Sequence, residues 1–228
     1  MKAKNEEESI ETIYSYIKNF LLNSDIYPGQ KIPHAELGKK MGVSFSPLRE
    51  AFIRLSSERL LIHKNQRGFF VPKISYEEAR DLYDTRMLIE PYLIKKAAKV
   101  ITDKKIDIIS AIQNQYKKMT FEPYSRKRLL VDKRFHLEIL ELGENQELFR
   151  IVDRIFNLLI VRRTIVHLSP DRPHKAYNEH TEILEALKNR DGKKAYQLMK
   201  KHIKFVKKFI LDDLLKNKQN ALDYNMFD

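Results

Sequence analysis

Apolar residues in the first 60 positions recur at helical spacing in three segments. Residues 9–24 carry apolar side chains every three or four positions, which predicts an amphipathic helix. A short helix is predicted over residues 34–41, where Gly42 ends the pattern, and a third over residues 44–59. The buried face of the third helix is predicted to consist of Leu48, Ala51, Phe52 and Leu55.

Two short apolar runs of β type follow the third helix. They cover residues 60–63 and 68–71, and residues 65–68 can join them as a hairpin loop. Helices, a tight turn, a further helix and a hairpin, in this order, make up a winged helix-turn-helix, a motif that binds DNA. We therefore predict a DNA-binding domain of this type over residues 1–74.

From Ser75 onward the pattern is helical throughout. Pro91 lies inside the first of these helices and is expected to kink it, whereas residues 217–228 are expected to be poorly ordered. The predicted helices cover residues 75–99, 102–119, 125–142, 146–167, 175–188 and 192–216. We therefore predict an all-helical bundle over residues 75–228 and a fold that is mainly α.

The composition is that of a soluble protein with room for two modest domains. Of the 228 residues, 43% are hydrophobic and 32% charged, and no apolar run approaches the roughly 18 residues that span a bilayer. The first residues lack the apolar stretch of a signal peptide. Cysteine is absent, which excludes disulfides and thiolate metal ligands and fits the reducing cytosol. We expect a cytoplasmic protein with no membrane partner.

The formal net charge of +12 favours a polyanionic partner, of which nucleic acid is the commonest. The positive excess is spread over both halves of the chain and includes lysines near the C-terminus that fit a solvated helix face. Charge alone therefore supports DNA binding only weakly, and the case depends on the residues of the predicted recognition helix.

The second helix of a helix-turn-helix enters the major groove, and side chains near its N-terminus reach the bases. In this chain those residues are Ser44, Phe45, Ser46, Pro47 and Arg49. The arginine can form two hydrogen bonds to guanine, and the serine hydroxyls suit phosphate oxygens. The alternative is that the serines only cap the helix and that the arginine is a surface charge paired with Glu50 or Glu36.

The predicted hairpin loop carries a second set of candidates for DNA contact. Lys64 and Arg67 offer positive charges to the neighbouring DNA backbone or minor groove, and Gly68 directly follows Arg67. We predict that Arg67 and Gly68 take part in DNA binding together with the start of the recognition helix.

Five segments of the predicted winged helix resemble the GntR family of regulators. They are YPGQKI at 27–32, LGKKMGVS at 37–44, SPLREA at 46–51, LSSERLL at 55–61 and RGFFV at 67–71. The resemblance covers the full length of the winged helix and implies a regulator that binds a double-stranded DNA operator. The family usually has arginine at the position of Phe45, so one cation for base or phosphate contact is missing in this chain.

Four residues of the C-terminal half have side chains suited to a transition metal. Asp132 and His136 lie four positions apart and share one face of a predicted helix, while His180 and His202 lie 22 residues apart on the last two helices. Three imidazoles and a carboxylate from three helices suit Zn²⁺, Ni²⁺ or Mn²⁺. The alternative is that each histidine is an ordinary core or surface residue.

The same half resembles the FCD ligand-binding domain of the FadR-like GntR subfamily. The segments that carry the resemblance are LYDTRMLIE at 82–90, VDKRFH at 131–136, EN at 144–145, EHTEILEAL at 179–187 and the stretch from Ala195 to Ile203. In that domain, aspartate and histidine at matching positions of a helical bundle hold a divalent metal above a pocket for small organic acids.

The FCD resemblance implies roles for five residues of this chain. The implied metal ligands are Asp132, His136, His180 and His202. Arg86 occupies a family position that often faces the pocket, where its guanidinium can clamp the carboxylate of an effector. The alternative for Arg86 is a buried ion pair with Glu90, four positions further along the helix.

These features predict a homodimeric transcription regulator that responds to a small organic acid, with repression favoured over activation. We do not expect an enzyme. One alternative is a metal-dependent hydrolase or lyase that uses the Asp/His cluster, although the sequence has no HExxH motif, no GxSxG motif and no Gly-rich phosphate loop. The other alternative is a helical domain that serves only for dimerisation.

Overall fold

Residues 2–121, 125–163 and 171–224 are described in a computed structural model, with side chains described between residues 10 and 216 of these ranges. The N-terminal elements are α1 (Lys2–Asn23), α2 (His34–Met41), α3 (Phe45–Ser57), β1 (Ile62–Lys64) and β2 (Gly68–Phe70). The later elements are α4 (Tyr76–Val100), α5 (Asp103–Lys118), α6 (Arg126–Leu140), a 3₁₀ turn (Glu141–Gly143), α7 (Gln146–Arg162), α8 (Asp171–Lys188) and α9 (Gly192–Tyr224). The predicted mainly α fold, a winged helix-turn-helix followed by a helical bundle, is confirmed.

The chain divides into two compact units. One consists of Met1–Ile74 and Asn157–Thr164, and the other of Ser75–Phe156 and Ile165–Asp228. The C-terminal end of α7 therefore belongs to the first unit, in which Nη2 of Arg162 donates a hydrogen bond of 3.0 Å to the carbonyl of Lys73. Each unit buries an apolar core of its own.

The first unit packs α1 against α3 and adds the short hairpin. Buried apolar residues on the facing sides of the two helices are Ile13, Ile17 and Leu21 of α1 and Leu48, Ala51, Phe52 and Leu55 of α3. The strands β1 and β2 pair antiparallel, with His63 opposite Phe69. Gly42 ends α2 with a φ of 66°, in the left-handed region that glycine adopts without strain.

Both strands of the hairpin are shorter than the sequence pattern predicts. Leu60 and Leu61 were expected in the first strand, but both amides donate hydrogen bonds to the carbonyl of Leu55, at 3.0 and 3.3 Å. These two residues therefore complete the C-terminal end of α3, while their side chains remain in the core. The burial of Leu60 and Leu61 agrees with their apolar character, but the strand itself lies further along the chain, because a short apolar run does not distinguish a buried loop from a strand.

The second unit is all-helical, with α4 packed along α9 and α5 packed against α6 and α8. Ser75 caps α4 by accepting a hydrogen bond of 3.1 Å from the amide of Glu78, as its sequence position predicts. Thr102 caps α5 in the same way, accepting a bond of 3.3 Å from the amide of Lys105. The helix α4 continues through Pro91 to Val100.

Two helix ends differ from the prediction. The helix α8 begins at Asp171 rather than at residue 175, because Pro173 falls in the first turn, where a residue needs no amide donor. The helix α9 extends to Tyr224, beyond residue 216, where the sequence pattern predicts its end. The predicted end of α7, at residue 167, lies outside the described residues.

The described helices include none that is both long enough and apolar enough to cross a membrane.

Candidate metal centre and DNA-binding surface

Three histidines from three helices of the second unit meet in the interior of the bundle. They are His136 of α6, His180 of α8 and His202 of α9, and all three are buried. One nitrogen atom of each ring lies within 4.8 Å of the corresponding atoms of the other two rings. Each histidine occupies a core-facing position of its helix, so the packing of the three helices brings their rings together.

Two of the three rings form a hydrogen bond to a carboxylate through Nδ1, the nitrogen on the side of the ring away from Nε2. The Nδ1 atom of His136 lies 2.7 Å from Oε2 of Glu90, and Nδ1 of His202 lies 2.6 Å from Oε2 of Glu179. An ionised carboxylate only accepts hydrogen bonds, so in a neutral ring each Nδ1–H donates and Nε2 keeps its lone pair. This is how proteins orient histidines that bind metals.

Buried nitrogen atoms in this cluster lack hydrogen-bond partners among the described residues. They are Nε2 of His136 and both ring nitrogens of His180. The ring of His180 is held by stacking on Phe135, with centroids 4.2 Å apart and an interplanar angle of 15°. Unsatisfied polar atoms are costly in a protein interior, so these atoms fit a site whose bonds are completed by a metal ion.

Burial favours the neutral form of His180 and His202, which is the form that metal binding requires. It lowers the pKa of His180 well below its usual value of 6.5, and the neighbouring His202 and His136 lower it further. Burial also lowers the pKa of His202, although the hydrogen bond that its ring donates to Glu179 acts in the opposite direction. Neutral imidazoles are the donors that Zn²⁺ and Ni²⁺ prefer.

Asp132 lies beside the three histidines but outside the group of closely spaced ligand atoms. Its Oδ1 atom is 3.6 Å from Nε2 of His180, and its side chain is partly exposed. The structure therefore brings together three of the four implied ligands and places the carboxylate of the fourth next to them. Nitrogen and oxygen donors in this arrangement fit a borderline divalent ion.

Arg86 is buried and forms an ion pair with Oε1 of Glu90, the alternative that the sequence left open. Its guanidinium also lies over the ring of Phe156, 4.0 Å from the centroid. Burial alone would raise the pKa of Glu90, but the charge of Arg86 and the hydrogen bonds that His136 and Arg86 donate lower it to about 2. The carboxylate thus stays ionised and joins Arg86 to a candidate metal ligand, while a contact of Arg86 with an effector stays a prediction.

Sequence reasoning missed the two carboxylates that orient the histidines. The sequence pattern links Glu90 only to Arg86, and Glu179 stands out only as part of the segment at 179–187. Glu179 also forms a salt bridge of 2.9 Å with Arg172, and together with His202 this cation lowers its pKa against the effect of burial. The adjacency of Glu179 to His180 was the one signal in the sequence, but it does not reveal which ring the carboxylate meets.

The start of α3 is exposed as a DNA-reading element requires. Ser44 takes the N-cap position, yet its side chain makes no capping hydrogen bond, so the hydroxyl is not used in the way the alternative proposed. Phe45, Ser46 and Arg49 are exposed, whereas Pro47 is half-buried. Arg49 forms no ion pair with any other residue in the described part of the chain, so the pairing with Glu50 or Glu36 is not found there.

The turn of the hairpin presents two cations on one aromatic ring. Nζ of Lys64 lies 4.7 Å and the guanidinium carbon of Arg67 lies 5.9 Å from the centroid of Phe70. Gly68 has a φ of 93°, and a Cβ at this position would lie 3.3 Å from the side chain of Lys31. The glycine therefore serves the tight turn that holds Arg67 at the exposed tip.

Two known families match the two parts of the chain. The family described as "Bacterial regulatory proteins, gntR family" matches residues 9–71, and the FCD domain matches residues 81–205. The chain is 28% identical over 200 residues to the HTH-type transcriptional repressor RspR of Escherichia coli strain K12, with 85% of each protein covered. It is 27% identical over 200 residues to the repressor GlaR of the same strain, covering 83% of this chain and 90% of that protein.

Solved structures show the same fold. The structure of E. coli McbR/YncC superposes with a TM-score of 0.75 at 16% identity, covering 96% of this chain and 98% of that one. A putative GntR regulator from Rhodococcus sp. RHA1 superposes with a TM-score of 0.78 at 19% identity, covering 90% and 98%. The hydrolase or lyase alternative finds no counterpart in the matched families, which are regulatory. This chain therefore belongs to the GntR family of bacterial regulators with a C-terminal FCD domain, and it is a DNA-binding transcription regulator rather than an enzyme.

Proposed function

We propose that this protein is a metal-containing repressor whose hold on its operator is controlled by a small organic acid. In this proposal residues 1–74 bind DNA and residues 75–228 bind the metal and the effector and form a homodimer. The protein works in the cytoplasm, where its operator lies. Repression is supported by two relatives that are named transcriptional repressors, RspR and GlaR.

The observation that carries the proposal is the cluster of buried imidazoles with unpaired nitrogens. Glu90 and Glu179 turn two of the rings so that Nε2 is left for an ion, as described above. In the proposal His136, His180 and His202 hold a divalent ion, Zn²⁺, Ni²⁺ or Mn²⁺, and Asp132 completes the protein ligands. Bound there, the ion supplies a Lewis-acidic centre that attracts an anionic ligand.

A carboxylate effector fits the polar groups around the cluster. Four protein ligands leave open positions on an ion that accepts six, and carboxylate oxygens suit such positions. Arg86 carries five N–H donors, so its pair with Glu90 leaves donors for a second acidic group of the effector. The buried Oε1 atom of Gln113 has no hydrogen-bond partner among the described residues and can accept from a hydroxyl group.

DNA contact is proposed for the exposed residues at the start of α3 and at the hairpin tip. The former are Ser44, Phe45, Ser46, Pro47 and Arg49, and the latter are Arg67 and Gly68. A dimer presents two such sets to a two-fold symmetric operator, since the symmetry of the protein is matched by the symmetry of the site. Effector binding changes DNA affinity only if the effector binds the DNA-competent and incompetent states with different affinity.

The first experiment is elemental analysis of the purified protein after dialysis against metal-free buffer. We expect about one divalent ion per chain in the wild type and a loss of that ion in His180→Ala. His174→Ala is the matched control, because this histidine of α8 lies outside the cluster and should leave the metal content unchanged. If wild type and His180→Ala are equally metal-free, the helical domain serves only for dimerisation.

The second experiment is a calorimetric titration of candidate organic acids, with and without operator DNA. We expect the effector to bind wild type tightly, to bind His202→Ala more weakly, and to change affinity by roughly 5–150-fold when operator is present. An effector that binds His202→Ala as tightly as wild type would place the pocket away from the metal. Equal affinity with and without operator would contradict effector control of DNA binding.

A further inference from the structure

The loop before α2 pairs with the edge of β2 that β1 leaves free. The amide of Ile32 donates a hydrogen bond of 2.8 Å to the carbonyl of Phe69, and the amide of Val71 donates one of 3.0 Å to the carbonyl of Gln30. Lys31 therefore lies directly opposite Phe70 in an antiparallel arrangement. The loop thus extends the hairpin by one paired segment and brings a lysine to it.

This pairing places two lysines on the same outward face of the hairpin. Lys31 lies opposite Phe70 and Lys64 lies opposite Gly68. Positions 68 and 70 share a face because side chains alternate along a strand, and paired residues of antiparallel strands share a face as well. Both lysines are exposed, whereas Phe69, which points to the other face, is buried in the core of the first unit.

The missing side chain of Gly68 leaves the space that Lys31 occupies. A Cβ at position 68 would lie 3.3 Å from Cε and 4.0 Å from Nζ of Lys31, so the lysine chain lies over the glycine. Nζ of Lys64 and the guanidinium of Arg67 lie over the ring of Phe70, two residues further along β2. Three cationic groups from three segments of the chain therefore gather at residues 68–70.

The chain supplies no carboxylate to offset these charges locally. Residues 26–35 and 59–76 together contain five lysines and arginines and neither aspartate nor glutamate. Among the described residues, Lys31, Lys64 and Arg67 form no ion pair. Like charges that are held close together repel each other, so this group of cations favours an anion from outside the chain. The positive excess of the whole chain is spread out, but at this face it is concentrated.

We propose that Lys31, Lys64 and Arg67 form a phosphate clamp that holds one phosphate of the DNA backbone, with Lys31 as a DNA-contacting residue supplied by the loop before α2. The inference rests on the DNA binding of the proposed function and adds a residue from outside the recognition helix and the hairpin. Ammonium and guanidinium groups are the usual partners of phosphate oxygens in protein–DNA complexes. Such contacts carry no sequence information, so Lys31 should strengthen binding to all sequences equally.

The salt dependence of DNA binding tests whether Lys31 contacts a phosphate. Lys31→Met keeps an unbranched chain over Gly68 but removes the charge, and it should lower the slope of log affinity against log salt by about one. Lys31→Arg keeps a cation and should keep the slope. Lys104→Met is the matched control, because it removes an exposed lysine of α5 in the second unit. Fluorescence anisotropy with a short duplex of random sequence measures the slope, and thermal unfolding shows whether the fold is retained.

Neutral phosphate analogues test whether the cations share one phosphate. A duplex obtained by selection from randomised DNA is prepared with a single methylphosphonate, which has no charge, at each backbone position in turn. Wild type should bind more weakly when the phosphate held by the clamp is replaced. Lys31→Met and Arg67→Met should each lose part of this sensitivity at the same position, because one partner of the contact is already missing. Lys104→Met should keep the sensitivity of wild type.

The outcomes separate this inference from the proposed function. A wild type that binds DNA with a salt slope unchanged by Lys31→Met overturns the clamp and leaves the proposed function standing, and a loss of thermal stability in that variant would then assign Lys31 to packing. Sensitivity that changes at different phosphates in Lys31→Met and Arg67→Met also overturns the clamp, because the two cations then hold separate sites. A wild type that binds no duplex obtained by selection overturns both.

Discussion

The Oε2 atom of Glu90 lies 2.7 Å from Nδ1 of His136, and both side chains are completely buried. The other carboxylate oxygen of Glu90 pairs with Arg86. One buried carboxylate thus orients a candidate metal ligand and neutralises a buried cation.

Removing the charge of Glu179 should weaken metal binding without removing a ligand. Glu179→Gln keeps the size of the side chain but loses the carboxylate that orients His202, and we expect metal affinity to fall by about 10–100-fold. Competition with a chromophoric chelator measures the change. Glu185→Gln is the control, because this exposed residue of α8 pairs with Lys188 and not with a histidine of the cluster, and its metal affinity should equal that of wild type.

Breaking the buried ion pair should cost far more than breaking an exposed one. Arg86→Met leaves Glu90 without its cation, and we expect the free energy of unfolding to fall by about 3–5 kcal/mol. Urea denaturation of the metal-free protein measures it. Arg80→Met removes an exposed partner of Asp81 and should change the urea midpoint little. Similar losses in both variants would mean that Arg86 and Glu90 contribute no more than a surface pair.

The metal-free protein should lose stability as the pH falls below 6.5. Burial lowers the pKa of His180 in the folded chain, so the unfolded chain takes up a proton first and is stabilised by it. Above pH 6.5 both states are neutral and the effect vanishes. We expect the free energy of unfolding to fall by up to about 1.4 kcal/mol per pH unit for each such histidine.

Thermal and urea unfolding between pH 8 and pH 5, in the presence of a chelator, measure this slope. His180→Gln, which cannot be protonated, should show a shallower slope than wild type, whereas His174→Ala should keep it. A wild-type slope that is unchanged by His180→Gln would show that other groups dominate the acid response.

The two arginines that we propose to contact DNA, Arg49 and Arg67, should respond differently to substitution. Arg49→Ala should cost about 1–3 kcal/mol of binding and relax the preference at one base position, because it removes a base contact. Arg67→Ala should weaken binding to all sequences and reduce the slope of log affinity against log salt by about one, because it removes a phosphate contact. Arg134→Ala is the control, since it removes an exposed charge from the second unit.

A selection experiment with randomised operators and a salt series in fluorescence anisotropy distinguish the two effects. If Arg49→Ala leaves the sequence preference unchanged, the base-reading residues lie elsewhere on the first unit.

The sequence was sufficient for the positions of the three histidines, because helical periodicity assigns each of them to a core-facing position and the family motif suggests the role that we propose for them. It could not predict that Glu179 meets His202 rather than its neighbour His180, since that depends on how α8 and α9 pack. Long periodic helices were also predictable, whereas the start of α8 was not. Proline breaks a helix at most positions and is tolerated in the first turn, which is where Pro173 lies in α8.

Phe45 is 54% exposed at the start of the recognition helix, where its ring meets the edge of His34 at a centroid distance of 5.5 Å. A phenyl ring has no hydrogen-bond donor or acceptor for a base edge. In the major groove the group that it can recognise is the 5-methyl of thymine, through apolar contact. The operator half-site is therefore expected to favour an A·T pair opposite this residue, and uracil in place of that thymine should weaken binding by removing a single methyl group.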